Sequence, residues 1–286
     1  MTENSWTDPG TGKTLHFDEE GNFVDDEGKG PQKGFKNDDK FGDWLHEYVQ
    51  GQLELRGLQK MIIPDDNEQG TPIYLTPNAL NNPENLLILI CGSGRIHAGL
   101  WSVGVCAYRG LAAGSVLPCL DEAQKRNMEV IILNPNHPGS RLLRGEFKEQ
   151  FGMILHSLYV FKNIIIERCQ PKHAYIICHS MGGECTISAI EEFESWFRNT
   201  VVAVAMTDAC TSRIKSRDLT KWCISRCINW VRSKQPLGTD LGVGDMCLEK
   251  SAETNDHPLT TFKAFPQIWE FFDQMASSAN QQQNED

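Results

Sequence analysis

The stretch from Ala174 to Gly183 constrains the fold more than any other part of this 286-residue chain. It begins with apolar residues, reaches Ser180, and continues through small residues into a segment of helical character. This pattern is typical of a buried strand, a sharp turn and a helix, with the serine exposed at the turn. Such a turn needs small neighbours, and Cys178 stands where glycine usually lies. The stretch therefore predicts a serine nucleophile at a strand-to-helix turn.

Apolar runs and helical patterns alternate on both sides of this turn. In addition to the strand before Ser180, the predicted strands are residues 61–64, 73–75, 85–90, 129–135 and 200–207. The predicted helices are residues 38–56, 116–126, 147–169, 219–232 and 262–272. This alternation predicts an α/β fold in which helices cover both faces of a mostly parallel sheet. Functional groups in such folds gather beyond the carboxyl ends of the strands.

Composition divides the chain into three parts. Residues 1–37 form an acidic arm, which we interpret either as short hairpin-like strands around Glu20-Gly21 or as a loosely attached segment. Residues 38–275 hold the alternating α/β pattern. Residues 276–286 are polar, with three consecutive glutamines, and are predicted to be disordered.

Charge and hydropathy exclude several classes of function. The net charge is −11, and an acidic surface argues against direct binding to nucleic acid, although not against a protein partner. No apolar run reaches the length of about 18 residues that a membrane span needs. Neither a signal peptide nor a retention signal is recognisable, so we expect a nuclear or cytoplasmic location rather than the endoplasmic reticulum.

Neither a metal nor a cofactor is expected from the motifs. Cys223 and Cys227 are four residues apart, but no second Cys/His pair with ligand spacing accompanies them. The ten cysteines are scattered through apolar segments, which favours buried free thiols. Gly92-Ser93-Gly94 follows a strand, yet no third glycine completes a dinucleotide-binding motif in register.

A serine nucleophile requires a base and an orienting acid. In α/β-hydrolases these residues follow the serine in the order acid, then histidine. Of the eight histidines, His257 alone follows Ser180, so it is the candidate base. Asp208 ends the apolar strand after the serine unit and is the favoured acid, while Asp240 and Asp245 remain alternatives.

The same fold predicts where the oxyanion donors lie. One backbone N–H should come from the residue after the nucleophile, Met181, and others from the loop after the third strand, Gly92, Ser93 and Gly94. Two neighbouring residues are predicted to have structural rather than catalytic roles. His179 is predicted to pack within the turn, and Cys91 is predicted to be a buried, inert thiol.

Several segments resemble, in order, the Argonaute-binding protein 2 domain family. That family includes the cotranscriptional regulators called "family with sequence similarity 172". The resemblance covers roughly residues 12–275. The matching segments are residues 75–80, 88–94, 130–136, 179–183, 206–208, 227–231, 256–260 and 265–268.

This resemblance implies an α/β-hydrolase-like fold with Ser180 as the nucleophile. It also implies protein partners of the Argonaute, chromatin or splicing type, in the nucleus or cytoplasm. Family members often carry histidine where this chain has Cys91. The family implies no particular substrate.

Two hypotheses of different class follow from the residues and the resemblance. In the first, the protein is a serine hydrolase that acts on an unidentified ester, thioester or amide. In the second, the hydrolase fold serves as a catalytically silent scaffold that binds protein partners in a nuclear regulatory complex.

Overall fold

A computed structural model describes residues 4–64, 69–143 and 151–283. The strands are β1 (Ser5–Thr7), β2 (Thr14–Phe17), β3 (Phe23–Val24), β4 (Gln59–Ile63), β5 (Thr71–Leu75), β6 (Asn85–Ile90), β7 (Glu129–Ile132), β8 (His173–His179), β9 (Val201–Thr207), β10 (Cys227–Val231), β11 (Asp240–Val243) and β12 (Leu248–Ser251). The α-helices are α1 (Asp39–Leu55), α2 (Val103–Arg109), α3 (Leu111–Gly114), α4 (Leu117–Lys125), α5 (Gly152–Tyr159), α6 (Gly182–Glu192), α7 (Glu194–Thr200), α8 (Arg217–Arg226) and α9 (Thr260–Gln283).

The main sheet has the strand order β11-β12-β10-β9-β8-β6-β7-β5-β4. Neighbouring strands from β12 to β7 are parallel, whereas β11 at one end and β5 and β4 at the other are antiparallel to their neighbours. Strands β6 and β7 are interchanged relative to chain order, so β6 lies directly beside β8. The predicted α/β-hydrolase-like fold is confirmed.

Helices cover both faces of this sheet. Side chains of successive strand residues point to opposite faces. Accordingly Leu87 and Leu89 of β6 lie in the hydrophobic cluster that includes residues of α1, α4 and α9, while Leu86 and Ile88 lie in the cluster that includes residues of α5, α6 and α8. The apolar run of β6 has no polar alternation because both of its faces are buried.

The predicted helix over residues 219–232 is wrong in its second half. Helix α8 ends at Arg226, and β10 then runs parallel to both β9 and β12. Residues 227–230 are all buried, including Trp230, which is fully inaccessible. A strand between two neighbours buries consecutive residues on alternating faces, whereas a surface helix exposes one face. The short apolar run of β10 directly follows α8 and also fits helical spacing, which is why the sequence predicted one continuous helix.

The acidic arm forms a small sheet that packs on α1. Strands β1, β2 and β3 are antiparallel. Leu15 and Phe23 are buried in the same hydrophobic cluster as α1, and the ring of Phe17 stacks on Trp44 with centroids 6.2 Å apart. Of the two interpretations of this arm, the structure shows the hairpin-like strands, and they are attached to the core.

Two helical regions differ in extent from the sequence expectation. Within the helix expected over 147–169, α5 continues into a π-helix, Val160–Cys169, and residues 144–150 lie outside the described residues. Helix α9 continues to Gln283, into the segment 276–286 for which a disordered tail is expected, and residues 284–286 are outside the description. Among the described helices, none combines the length and the apolar character that crossing a membrane requires.

Candidate functional site

Ser180 lies on a sharp turn between β8 and α6. Its φ angle is +53°, a left-handed conformation that costs a residue with a Cβ atom about 1–2 kcal/mol. Hydrogen bonds hold this conformation: the Ser180 N–H donates to Thr207 O at 3.1 Å, and Ser180 O accepts from the Cys210 N–H at 2.9 Å. The turn is thus fixed from the neighbouring strand, and the serine side chain is half-buried.

Close packing around the turn explains its small residues. A Cβ atom on Gly92 would lie 2.8 Å from Ser180 Cβ, and one on Gly183 would lie 2.6 Å from Ala209 Cβ. Contacts this short do not occur between real side chains, so both positions require glycine. Cys178 is fully buried at the position where glycine is usual, and burial raises its pKa to about 12, so it is a neutral thiol.

The structure brings Asp208 and His257 together. Asp208 follows β9 with a φ angle of +43°, and its N–H donates to Trp230 O at 2.8 Å. His257 begins the 3-10 helix His257–Leu259 that precedes α9, and its Nδ1 forms a very short hydrogen bond with Asp208 Oδ2. A carboxylate can only accept, so Nδ1 carries the proton and Nε2 is free to act as a base.

Ser180 and His257 lie at the same edge of the sheet without a direct hydrogen bond. Among the described residues, Ser180 Oγ has no hydrogen bond with the imidazole of His257. The ring centroid of His179, the residue before Ser180, lies 4.6 Å from that of His257, so His257 packs against the end of the strand that leads into the Ser180 turn. Catalytic hydrogen bonds are often long in unliganded enzymes and shorten when substrate binds.

His179 is a buried, neutral residue that packs beside His257 in this site. Its Nδ1 lies 2.9 Å from Thr207 O, a carbonyl that can only accept, so Nδ1 carries a proton. Burial, together with a smaller effect of the neighbouring His257, lowers the pKa of His179 to about 4. The prediction that His179 packs within the turn agrees with this geometry, although its contact with His257 was not foreseen.

The candidate oxyanion donors differ in their surroundings. Gly92 is buried against Ser180 and Met181 is half-buried, whereas Ser93 and Gly94 are exposed. Within the described parts of the chain, the N–H groups of Gly92 and Met181 donate to no backbone acceptor. Two free N–H groups flanking a serine can stabilise a developing negative charge on oxygen.

Asn136 fixes the loop that follows β6. Its Nδ2 donates to Gly92 O and to Ile96 O, both at 2.8 Å. No sequence signal marked this asparagine as part of the site, so its role in holding the loop was missed. Cys91 in the same loop is buried, which raises its pKa to about 12 and leaves it a neutral thiol as predicted.

Arg232 is a further residue of the site that the sequence analysis missed. Its Nε lies 2.6 Å from Asp208 Oδ2, and its backbone N–H donates to Asp208 Oδ1 at 3.3 Å. The Arg232 guanidinium and His257 Nδ1 therefore both bind the carboxylate of Asp208. Parallel pairing of β9 with β10 would have placed Arg232 beside Asp208, but the helix assigned to this segment concealed that proximity.

The other candidate acids and thiols lie elsewhere. Asp240 accepts from the Gly242 N–H at 2.8 Å on the edge strand β11, and Asp245 lines a separate cavity near α8. Cys223 and Cys227 are buried free thiols. In residues 4–64, 69–143 and 151–283, no group of three or more His, Cys, Asp or Glu side chains is arranged to hold a metal ion.

Comparison with known proteins gives the family of this chain. The Arb2 domain model matches residues 36–141 and 152–237, which is more than half of the sequence. The chain belongs to the Arb2 domain family. The match spans the strand before Ser180, the turn itself, Asp208 and Arg232, and it ends before His257.

Several relatives of this Arb2 protein are named as cotranscriptional regulators. It is 26% identical over 303 residues to "Cotranscriptional regulator ARB2A homolog" of Gallus gallus, an alignment that covers 86% of this chain and 73% of the relative. It is 27% identical over 295 residues to "Cotranscriptional regulator ARB2A" of Homo sapiens, covering 83% and 71%. The resemblance drawn from the sequence motifs is therefore confirmed at the level of the family.

A solved structure shares the fold of this Arb2 protein. "A histone deacetylase from Saccharomyces cerevisiae" superposes with a TM-score of 0.52 at 12% identity, covering 81% of this chain and 97% of that chain. Identity this low shows the fold alone.

Proposed function

We propose that this Arb2-domain protein is a serine hydrolase of an ester, thioester or amide. Ser180 is the nucleophile, His257 the general base and Asp208 the acid that orients it. The observation that carries the proposal is the hydrogen bond between His257 Nδ1 and Asp208 Oδ2 beside the Ser180 turn. This bond fixes the imidazole tautomer that leaves Nε2 free to take a proton from a hydroxyl.

The reaction would follow the acyl-transfer sequence of a serine nucleophile. His257 Nε2 takes the proton of Ser180 Oγ as the oxygen attacks the substrate carbonyl. The N–H groups of Gly92 and Met181 stabilise the oxyanion, and each such donor contributes about 10²–10³ in rate. His257 then gives its proton to the leaving group, and water hydrolyses the acyl-serine with the histidine again acting as base. The strained φ angles at Ser180 and Asp208 favour this role, since strain persists at functional sites.

Turnover of activated aryl esters and acyl thioesters tests the proposal. Ser180→Ala, His257→Gln and Asp208→Asn should each lower kcat/KM by about 10³–10⁴, because these residues act as one unit. The matched control is Ser195→Ala, which removes an exposed hydroxyl on α7 and should leave turnover unchanged. Turnover that persists in Ser180→Ala would contradict the proposal.

A second candidate function is a scaffold that binds protein partners without catalysis. Arg232 favours it, because the guanidinium bound to Asp208 offsets the negative charge that would stabilise a protonated His257. The missing hydrogen bond between Ser180 Oγ and His257 points in the same direction. Under this proposal the protein takes part in cotranscriptional regulation in the nucleus, as the names of its relatives suggest, with Argonaute, chromatin or splicing proteins as partners.

Partner capture from nuclear extract separates the two candidates. The scaffold proposal expects the same partners to be recovered with the native chain and with Ser180→Ala, in the absence of any ester or thioester turnover. Argonaute, chromatin and splicing proteins would be identified by mass spectrometry. Recovery of none of these classes would remove the support for the scaffold.

A further inference from the structure

A cavity of about 600 Å³ lies beside α8, apart from the Ser180 site. Its lining contains four basic side chains and one acidic side chain: Arg213, Lys215, Arg217, Lys221 and Asp245. The remaining lining residues are Ile214, Thr220 and Ile224. This concentration of positive charge is unusual in a chain whose net charge is −11.

The four basic side chains are available to a ligand. All four are exposed, and none forms an ion pair with another described residue. By contrast, Arg198 on the neighbouring helix α7 is paired with both Glu194 and Asp218. Four unpaired cations on one cavity repel one another, and an anion placed among them would relieve that repulsion.

The backbone that carries these cations is held in place from both sides. Ile214 is 4% exposed and anchors the segment between Asp208 and α8 in the core. Ser216 caps α8 by accepting from the Leu219 N–H at 3.2 Å, so Arg217 stands in the first turn of a ten-residue helix. The positive end of the helix dipole adds to the field of the side chains.

We propose that this basic cavity binds an acidic or phosphorylated segment of a protein partner. Arginine presents a planar fork that matches a carboxylate or a phosphate with two parallel hydrogen bonds. Because the four cations are exposed, the site is open and suits an extended chain better than a small molecule, which a pocket normally encloses. The shared chemistry is a run of anionic oxygens, supplied either by Asp and Glu or by phosphorylated side chains.

A peptide fits the cavity better than a nucleic acid does. Among the described residues, no aromatic side chain lines it, whereas single-stranded nucleic acid is usually held by bases stacked on aromatic rings. The cations also form one compact group, while a nucleic-acid site follows the phosphate backbone as a stripe. The acidic remainder of the protein would repel the rest of a long polyanion.

Fluorescence anisotropy with the full chain tests this proposal. The probes are a labelled Gly/Ser peptide with several phosphoserines, the same peptide with glutamate in their place, the unmodified peptide and a single-stranded RNA of the same length. At about 0.1 M salt the native chain should bind one or both anionic peptides and not the unmodified one, and binding should weaken as salt increases. The preferred anionic peptide identifies the source of the charge.

Variants assign the binding to the cavity. Lys215→Glu/Lys221→Glu should weaken binding of the anionic peptide at least about tenfold. Lys215→Gln/Lys221→Gln provides a milder replacement if the reversed charges impair folding. The charge-matched control is Lys33→Glu/Arg109→Glu, two exposed cations that do not line the cavity. The proposal is overturned if the native chain binds neither anionic peptide or if the cavity variants bind like the native chain. It is also overturned if RNA binds more tightly than both peptides through these same cations.

Discussion

At the residue scale, the contact between Gly92 and Ser180 links the oxyanion loop to the nucleophile. Added to Gly92, a Cβ atom would lie 3.3 Å from Ser180 Oγ as well as 2.8 Å from its Cβ. Neither backbone can move away alone, because Asn136 binds Gly92 O and strand β9 binds the N–H of Ser180. A side chain added at Gly92 would therefore displace the loop and the turn together.

Gly92→Ala tests this contact. Displacing the loop moves one oxyanion donor, so ester turnover should fall by at least about tenfold, with a loss of about 1–3 kcal/mol in the free energy of unfolding. The control is Gly51→Ala on α1, where an added Cβ meets nothing within 4 Å and should stabilise the helix by about 0.5–1 kcal/mol. Unchanged turnover in Gly92→Ala would contradict the assignment of this loop.

The residues of the candidate site differ in how readily the sequence identifies them. Ser180 and His257 follow from motif and chain order, and Asp208 from its place at the end of an apolar strand. Arg232 and Asn136 carry no such signal, because each acts through a partner that is distant in sequence. Arg232 lies 24 residues from the carboxylate it binds, and Asn136 lies 44 residues from Gly92. Contacts of this kind depend on strand pairing, which a single sequence does not specify.

At the element scale, the N-terminal sheet is part of the core. Leu15 of β2 is 3% exposed, whereas Leu55 at the end of α1 is 80% exposed. Leu15→Ala should lower the free energy of unfolding by about 2–5 kcal/mol, because it leaves a cavity between the sheet and α1. The same change at Leu55 should cost less than about 0.5 kcal/mol. Urea denaturation measures both, and equal effects would show that the N-terminal sheet is not packed as described.

The element boundaries show which signals a sequence carries. Strands β6 and β9 are continuous apolar runs, and the sequence predicted their bounds to within one residue. Strand β7 begins where predicted but ends at Ile132, three residues before the expected end. Strand β10 follows α8 with no intervening breaker, and its five residues also fit a helical face. Only its place between β9 and β12 decides its conformation. Tertiary pairing here overrides local propensity.

At the scale of the whole molecule, buried histidines make stability depend on pH. Burial lowers the pKa of His156 to about 3 and that of His179 to about 4, from an ordinary value of 6.5. His156 accepts from the Asn134 N–H at 3.0 Å, a bond that only the unprotonated Nε2 can make. Both histidines therefore stay neutral in the folded protein at a pH where the unfolded chain binds protons.

Stability should accordingly fall as the pH decreases from 6.5 towards 4. Each histidine contributes a slope of up to about 1.4 kcal/mol per pH unit, since the unfolded state takes up a proton that the folded state excludes. His156→Gln removes one of the two groups and should reduce the slope by up to that amount. Urea unfolding at several pH values provides the measurement. An identical slope in the variant would show that His156 is not held neutral by the fold.

Covalent labelling tests most directly whether Ser180 is an activated nucleophile. The folded native chain is incubated with a fluorophosphonate probe, and the adduct is measured by intact mass and assigned by peptide mapping. We predict one adduct, on Ser180, that is absent from Ser180→Ala and forms at least about 10²-fold more slowly in His257→Gln. No adduct on the folded native chain, or an adduct that survives Ser180→Ala, would contradict the central claim.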